Sequence, residues 1–494
     1  MDPQAYQNLQ FGGGVSQTIV SPIALLIVLV AGVMICVVPL RRAIAPFLIA
    51  AVLIPNDQVI LLGPLHFPML RILIIFGVIR MFRARSTSKI EILSGGLNAI
   101  DKALILLTFF AMLNGILLWR LWGEVIFQLG ELYSAFGTYF LLRFLIRDEA
   151  DVKQVLRVFA CITGVVALVM VCEQVTGRNL LYAALGGSRA SVFESVISRD
   201  DHLRATGCFG HPILAGTFGG IMLPLFVGLW YKDKKERKYA AVGVVAATVM
   251  AFAAASSTAL AGFLGGIVAL CFWPLRRRMR VVRWTIAIIL VSLHLVMKAP
   301  VWHLVSRIDL TGSSSGYHRY QLINQCILHF WDWVLIGTKD FGNWGWDMWD
   351  LSNQYVAAAD TTGLIPLLSL LAIIVFGFKY VGRTRRAVSG DRSQELFIWG
   401  LGASLFANVV AFFGISYFDQ TIVAWYALLA MIIAMAVSVR KAQKNKTERG
   451  SKEKVPAASF DRELESIEVQ APTWVAPLVD NGINGLRFSP ESLR

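Results

Sequence analysis

The chain has 494 residues, of which 56% are hydrophobic and only 16% are charged. Soluble domains carry about 25% charged residues, so this composition excludes an ordinary soluble globule and indicates a polytopic membrane protein. The formal net charge is +14. Because the basic residues cluster in short segments between apolar runs, we attribute this charge to membrane orientation and expect no nucleic-acid partner. The six cysteines show no spacing suited to a metal site.

Apolar stretches long enough to cross about 30 Å of hydrocarbon recur along the chain and predict an all-α bundle of about 12 or 13 transmembrane helices. The predicted spans are residues 16–40, 43–62, 65–82, 102–119, 124–145, 153–175, 211–231, 239–255, 257–274, 284–300, 354–377, 396–413 and 418–439. The second span contains Pro55-Asn56-Asp57, so it is expected to be broken or re-entrant. Residues 1–439 are therefore predicted to form the transmembrane domain, and residues 440–494 a disordered cytoplasmic tail.

Basic residues predict the orientation, because lysine and arginine are retained on the cytoplasmic side of a membrane. They concentrate on alternate connections, namely residues 41–42, 83–89, 143–157, 232–238, 276–283 and 379–392. The N-terminus is therefore expected outside and the C-terminus in the cytoplasm. Two connections on the outer side are long, residues 176–210 and residues 301–353. Extended loops on one face are where function tends to be placed.

A few ionisable residues fall within or at the ends of the predicted spans: Arg71, Glu131, Glu173, Asp360 and Asp419. Such groups are costly in a membrane and usually line a wet cavity or pair with one another. All five lie toward the predicted outer side, which favours a polar cavity open there. The alternative is that each makes an isolated hydrogen bond at the interface.

The second long loop contains a predicted amphipathic helix that begins near Gly316. Its apolar positions recur with helical periodicity at Leu322, Ile323, Cys326, Ile327, Phe330 and Val334. Arg319 falls within this apolar arc, where a cation needs an anionic partner. It is either a structural salt-bridge residue or a clamp for phosphate, which the planar guanidinium suits.

The same loop is rich in tryptophan, with Trp302, Trp331, Trp333, Trp344, Trp346 and Trp349. Indole rings anchor proteins at membrane interfaces. They also offer flat apolar faces on which a ligand ring can stack. The sequence leaves both interpretations open.

The first long loop ends with Arg204, Gly207 and His211, directly before Pro212 opens a span. A cation beside the free amides of a helix N-terminus is a natural anion site. His211 could transfer a proton near neutral pH, or it could simply cap the helix. The chain contains no P-loop, no GxGxxG that follows a strand, no HExxH and no GxSxG nucleophile elbow, so we expect a substrate that is already activated.

Three stretches resemble the O-antigen ligase and polymerase superfamily of bacterial inner-membrane proteins, which act on polyprenyl-diphosphate-linked glycans. They are Arg204-x-x-Gly207 through His211-Pro212, Gly316-x-x-Arg319 with the turn at residues 335–339, and Asn353-Gln354-Tyr355 with Gly363-Leu364. The resemblance covers residues 204–377. Two departures favour the polymerase branch: Ser352 stands where ligases have a transfer histidine, and residues 256–259 replace a Ser-Arg pair.

The resemblance implies a GT-C-type membrane glycosyltransferase at the outer face of the bacterial inner membrane. It would polymerise repeat units into exopolysaccharide or O-antigen, with undecaprenyl diphosphate as the leaving group. Arg204 and Arg319 are the expected diphosphate clamp. The general base would be one of five residues whose side chains can accept a proton, namely His211, His318, Asp347, Asp350 and Asp360.

The substrate-binding candidates are Gly207, Trp344, Trp346, Asn353 and Tyr355. No DxD-like pair occurs in the loops, so we expect neither a metal nor a cofactor. The expected partners are a lipid-linked oligosaccharide, membrane lipid and a chain-length regulator.

Two other functions stay open. A ligase would transfer a finished glycan to an acceptor, and it would need another base near Ser352. A transporter or flippase would usually show repeated halves and discontinuous helices at the midplane. This chain instead concentrates its polar features at one rim.

Overall fold

A computed structural model describes residues 18–88, 91–186, 198–199, 202–307 and 315–453. These residues are almost entirely helical, which confirms the predicted all-α polytopic bundle. Within them, eight helices are long and apolar enough to cross a membrane. The protein is therefore a membrane-spanning chain, as its composition predicted.

The described α-helices follow one another with short connections over most of the chain. They are α1 (Pro22–Val37), α2 (Leu40–Leu53), α3 (Met69–Ser88), α4 (Ala99–Trp119), α5 (Trp122–Leu145), α6 (Glu149–Thr176), α7 (Leu180–Leu185), α8 (Pro212–Lys232), α9 (Arg237–Ala253), α10 (Ser257–Cys271), α11 (Met279–Val296), α12 (Ser315–Leu328), α13 (Phe330–Trp333), α14 (Gln354–Thr362), α15 (Leu364–Ala387), α16 (Arg392–Ala411) and α17 (Thr421–Glu453).

Shorter elements occupy the connections. Strands β1 (Val59–Leu62) and β2 (Leu65–Pro68) form an antiparallel hairpin, and β3 (Ser198–Arg199) pairs with β4 (His202–Leu203). Short 3-10 helices cover Lys234–Glu236, Trp273–Leu275, Val301–Arg307 and Phe341–Asn343.

The predicted second span, residues 43–62, is broken, as the stretch Pro55-Asn56-Asp57 predicted. Helix α2 ends at Leu53, and the β1–β2 hairpin follows it. Pro55 explains the end, because the residue before a proline is pushed out of the helical region. Ile54 has an extended backbone, with ψ of 126°.

The predicted span 354–377 is also divided, because helix α14 ends at Thr362 and α15 begins at Leu364. Gly363 between them has a φ of 88°, a conformation that favours glycine. A Cβ at Gly363 would lie 2.7 Å from the carbonyl oxygen of Leu335, so the preceding loop crosses the break at close range. Asn114 of α4 donates to the carbonyls of Thr362, at 2.6 Å, and Leu335, at 3.4 Å.

Helix α8 is the centre of the bundle, and most of its residues are buried. Glycines on α8 allow its neighbours to approach closely, as in other membrane bundles. A Cβ at Gly219 would lie 2.7 Å from the Ala247 carbonyl of α9, and one at Gly220 would lie 2.9 Å from the Phe263 amide nitrogen of α10. Helices α9 and α10, and the connection between them, are thereby fixed against the start of α8.

At one end of the bundle, ion pairs link five of the six predicted basic connections into two groups, and Gln394 joins the groups by donating to Glu149 at 2.6 Å. Five pairs do this: Arg41 with Asp148, Lys232 with Glu149, Arg157 with Glu236, Arg276 with Glu395 and Arg385 with Glu395. The alternation of sides inferred from the sequence is therefore consistent with the packing.

The opposite connections meet at the other end. Gln58, which precedes β1, donates to the carbonyl of Leu185 in α7 at 3.1 Å. Gln420, which precedes α17, donates to the carbonyl of Ile54 at 3.1 Å. The second long loop and α14 together form a second, smaller core of Leu322, Cys326, Trp333, Met348, Val356 and Ala359. This core confirms the amphipathic helix, although Ile327, predicted on its apolar side, is 48% exposed.

The chain divides into two compact units, Met1–Arg440 and Lys441–Arg494. In the second unit, the residues up to Glu453 are helical, and Lys444 pairs with Glu448 at 3.7 Å. The first residues of the tail, which was predicted to be disordered, are therefore helical up to Glu453. The rest of that prediction, over residues 454–494, lies outside the described residues.

Candidate functional site

The segment that carries Arg204 is anchored by a buried carboxylate. Glu173, near the end of α6, is only 1% exposed. One of its oxygens accepts from the backbone amides of Thr206 and Gly207, each at 3.0 Å, and the other accepts from the Thr206 hydroxyl at 3.2 Å. Asn179 adds a further donor to Glu173 at 3.0 Å. A carboxylate that accepts several hydrogen bonds is a stable, rigid anchor.

The other end of this segment is held by the connection before α17. Asp419 accepts from the Gly210 amide at 2.6 Å, and Gln420 donates to the Cys208 carbonyl at 2.9 Å. Burial raises the pKa of the Asp419 carboxyl to about 6. Gly207 has a φ of 61°, and a Cβ there would lie 2.8 Å from Val166. Gly207 is thus required by the turn itself.

Arg204 points from this anchored segment toward the end of α9. The side chain is 4% exposed, and its Nε donates to the carbonyl of Ala254 at 3.2 Å. The backbone amide of Ala205 donates to the neighbouring carbonyl of Ala253 at 3.1 Å. Both contacts place the guanidinium at the connection between α9 and α10.

Arg319 reaches the same connection from the second long loop. The side chain is 9% exposed, and its Nη2 donates to the hydroxyl of Thr258 at 2.7 Å. Thr258, in the first turn of α10, in turn donates to the carbonyl of Gly414 at 3.2 Å. The position of Arg319 on the buried side of α12 agrees with the helical periodicity of the sequence.

The two guanidinium groups therefore contact residues 254 and 258, at opposite ends of one short connection. Four residues of fully extended chain span at most about 14 Å, so the two contact points lie within that distance. The connection itself is strongly bent, because Ala255 has a φ of 43°. A non-glycine residue in this region is uncommon and is often found at functional sites.

His211 lies beside Arg204 and caps α8. Its Nδ1 accepts from the amide of Ile213 at 3.1 Å, so the neutral ring carries its proton on Nε2. Burial, followed by the positive charge of Arg204, lowers the pKa of His211 to about 4. Near neutral pH this imidazole is therefore a hydrogen-bond donor, and its basic nitrogen is occupied.

His318 carries its proton on the same ring nitrogen as His211, but in His318 this Nε2–H makes the hydrogen bond. Its Nε2 lies 2.9 Å from the carbonyl oxygen of Asp347. A carbonyl only accepts, so Nε2 carries the proton and Nδ1 is the basic nitrogen. Asp347 has a left-handed backbone, with φ of 59°, and the carboxylate of Asp350 interacts electrostatically with both His318 and Arg319. His318 and the buried Arg319 thus share Asp350 as a neighbouring carboxylate.

Three other candidates contribute to the scaffold. Asp360 is buried in the loop core, where the thiol of Cys326 donates to it, and burial raises the pKa of Asp360 to about 7. Asn353 is fully buried and caps α14 by accepting from the amides of Tyr355 and Val356. Tyr355 donates to the Val409 carbonyl at 3.1 Å.

The tryptophans of the second long loop have different environments. Trp344 stacks on His329, with ring centroids 4.4 Å apart, and Trp333 donates to the Cys326 carbonyl at 2.7 Å. Trp302 donates to Asn324 at 3.3 Å. Trp346 is 83% exposed, so its face is accessible. Of the two tryptophans predicted to bind substrate, Trp346 has the more open ring.

The five ionisable residues near the span ends do not form one group. Glu173 and Asp419 both hold the segment that carries Arg204, as described above. Arg71 instead pairs with Glu131 at 3.1 Å, between α3 and α5. Asp360 belongs to the core of the second long loop.

Sequence reasoning missed Thr258 and the anchoring role of Glu173. Thr258 belongs to the run Ser256-Ser257-Thr258, which begins α10 and is buried. A hydroxyl run at a helix start is a cue for capping, but it does not indicate contact with an arginine 61 residues away.

The fold and the site define a polytopic all-α membrane protein with two buried arginines at one end of its bundle. No protein-family model matches the chain, and a search of curated proteins finds no relative.

Proposed function

We propose that this protein polymerises polyprenyl-diphosphate-linked oligosaccharide repeat units, as a metal-independent membrane glycosyltransferase. One observation carries the proposal: Arg204 and Arg319, from two separate loops, are both buried and both contact the connection between α9 and α10. Two buried guanidinium groups whose contacts lie four residues apart in the chain suit the two phosphates of a diphosphate.

The arginines would act on the leaving group. In the proposed reaction the bond between the anomeric carbon and the diphosphate oxygen breaks, and the electron pair leaves with the lipid diphosphate. Negative charge develops there, and prearranged donors in a dry site stabilise such charge without further reorganisation. The neutral Nε2–H of His211, beside Arg204, supplies one more donor to the same oxygens.

His318 is the proposed general base. The acceptor hydroxyl forms the new bond to the anomeric carbon, and its proton passes to Nδ1 of His318. The Asp347 carbonyl accepts from Nε2 and so fixes the tautomer in which Nδ1 can accept this proton. The general base would then act near the arginine that holds the leaving group.

Polymerisation is preferred to ligation because Ser352 occupies the position at which ligases carry a histidine. The working location would be the outer face of a bacterial inner membrane, with the basic end of the bundle in the cytoplasm. A chain-length regulator is the expected protein partner.

The arginines can be tested by substitution in a strain that depends on this protein for polymer. We expect Arg204→Ala and Arg319→Ala each to reduce polymer formation by about 100-fold or more, as for loss of one transition-state donor. Arg178→Ala and Arg307→Ala are matched controls, because both side chains are exposed in the same two loops. Protein level in the membrane and melting temperature are measured for every variant. Full-length polymer from a normally expressed Arg204 or Arg319 variant would refute the clamp.

The base is tested separately with His318→Gln. Glutamine keeps a donor for the Asp347 carbonyl but lacks the basic nitrogen, so turnover should fall by about 100-fold or more while substrate binding persists. His211→Asn is the comparison, because asparagine keeps the helix cap and should cost less activity. Equal activity of His318→Gln and the native protein would assign the base to another residue.

A further inference from the structure

A second site lies on the membrane-facing side of the bundle, between α3 and α5. These helices border an apolar groove of about 420 Å³, lined by residues that include Val78, Met81, Leu132, Tyr133, Phe136 and Phe140. Gly137 also lines it, and a Cβ there would collide with the Ile74 side chain of α3, so the two helices are closely packed at this point. From residue 129 to residue 140 the groove follows α5 for about 16 Å, which is close to half of the roughly 30 Å hydrocarbon core.

Charged groups lie at one end of this groove. The Nη2 of Arg71 donates to Glu131 at 3.1 Å, and the Nε donates to Ser134 at 2.8 Å. The guanidinium rests on the backbone of Gly130, where a Cβ would be 2.7 Å from both terminal nitrogens. The neighbouring residue, Leu129, already lines the groove. The ion pair is thus adjacent to the apolar surface.

The two members of the ion pair differ in exposure. The Arg71 side chain is 13% exposed, whereas that of Glu131 is 56% exposed. A ligand that enters along the groove would therefore meet a cation that is fixed by several acceptors and a carboxylate that is more exposed than the cation. This pair presents one positive and one negative charge side by side.

We propose that this groove binds a phosphatidylethanolamine molecule. One acyl chain would lie against the apolar residues over the depth of one leaflet, the phosphate would contact Arg71, and the ammonium group would contact Glu131. Charge complementarity selects this lipid, because a zwitterionic headgroup matches an adjacent cation and carboxylate, whereas an anionic headgroup would meet repulsion from Glu131. The site is independent of the glycosyl transfer proposed above.

The test is native mass spectrometry of the full-length protein in detergent, titrated with phosphatidylethanolamine or phosphatidylglycerol of identical acyl chains. The native protein should bind phosphatidylethanolamine about tenfold more tightly, which corresponds to about 1.4 kcal/mol. Glu131→Gln should reverse this preference, because Arg71 then attracts the anionic lipid. The exposed position of Glu131 makes this variant compatible with folding.

The groove itself is tested with Val78→Trp, which should weaken binding of both lipids at least about tenfold by filling the space. Leu168→Trp is the matched control, because Leu168 is 69% exposed on α6 and does not line the groove. Equal affinity of the native protein for the two lipids, unchanged preference in Glu131→Gln, or unchanged binding in Val78→Trp would each overturn the proposal. Selective binding of a polyprenyl phosphate instead would also overturn it.

Discussion

Arg204 and Arg319 differ from most charged residues of this chain in being almost fully buried. A buried guanidinium requires acceptors, and each arginine has one on the connection between α9 and α10. His211 shows the electrostatic consequence, because the charge of Arg204 adds to burial in keeping the imidazole neutral. The residue-scale chemistry is therefore a positive site in which histidine acts as a donor.

His211→Asn should change the pH dependence of stability. The pKa of His211 falls from about 6.5 in an unfolded chain to about 4 in the folded protein, so the unfolded state binds the proton more readily between these values. The contribution of neutral His211 to the free energy of unfolding is fully present above pH 6.5 and is lost as the pH falls toward 4. The largest loss of stability is about 3 kcal/mol, because the pKa of His211 differs by about 2.5 between the unfolded and folded states. Thermal unfolding in detergent from pH 7 to pH 4 measures it.

Asparagine keeps the cap but does not titrate, so the native protein should lose its advantage over His211→Asn as the pH falls. Asp419 titrates with the opposite sign: its raised pKa of about 6 makes stability fall as the pH rises from about 4 toward 6. Because both proteins contain Asp419, its contribution cancels in the comparison. If the melting temperatures of the native protein and of His211→Asn changed in parallel with pH, His211 would not be a buried neutral imidazole.

At the scale of elements, the sequence predicted the helices well where hydrophobic length alone decides. It failed where long-range contacts decide, as at Gly363, because the apolar run continues across the break and nothing local shows that residues 335–338 pass beside it. For the site, periodicity correctly placed Arg319 on the buried side of α12. The contact of Arg319 with Thr258 depends on the packing of α12 against segments distant in the chain, so it could not be predicted from a single sequence.

Asn114→Leu should lower the free energy of unfolding at the break between α14 and α15. The hydrophobic contacts of the leucine should not compensate for this loss. The Asn114 amide donates to the carbonyls of Thr362 and Leu335 at the break. Each buried acceptor left without a hydrogen bond lowers the stability by about 1–3 kcal/mol. We therefore expect a lower melting temperature in detergent and greater protease sensitivity near residue 363. Thr108→Val on the same helix is the control, because that hydroxyl bonds only to carbonyls of its own helix, and its loss should cost about 0.5 kcal/mol or less. Equal effects of the two substitutions would contradict this role of Asn114.

The whole molecule separates its charges between two ends. One end joins basic connections to carboxylates through ion pairs, including those that Glu395 makes with Arg276 and Arg385. The other end collects the segment with Arg204, the loop with Arg319 and the turn before α17. Because lysine and arginine favour the cytoplasmic side, this separation predicts which side the candidate site faces.

Cysteine labelling of intact cells tests that orientation. Trp346→Cys, at an exposed position of the second long loop, should react with a membrane-impermeant maleimide from outside. Ser389→Cys, at an exposed position between α15 and α16, should react only after the inner membrane is permeabilised. The native protein gives the background from its own cysteines, including the exposed Cys161 and Cys271. The reverse pattern would place Arg204 and Arg319 in the cytoplasm, where a substrate presented on the outer face could not reach them, and the proposed polymerase would then be excluded.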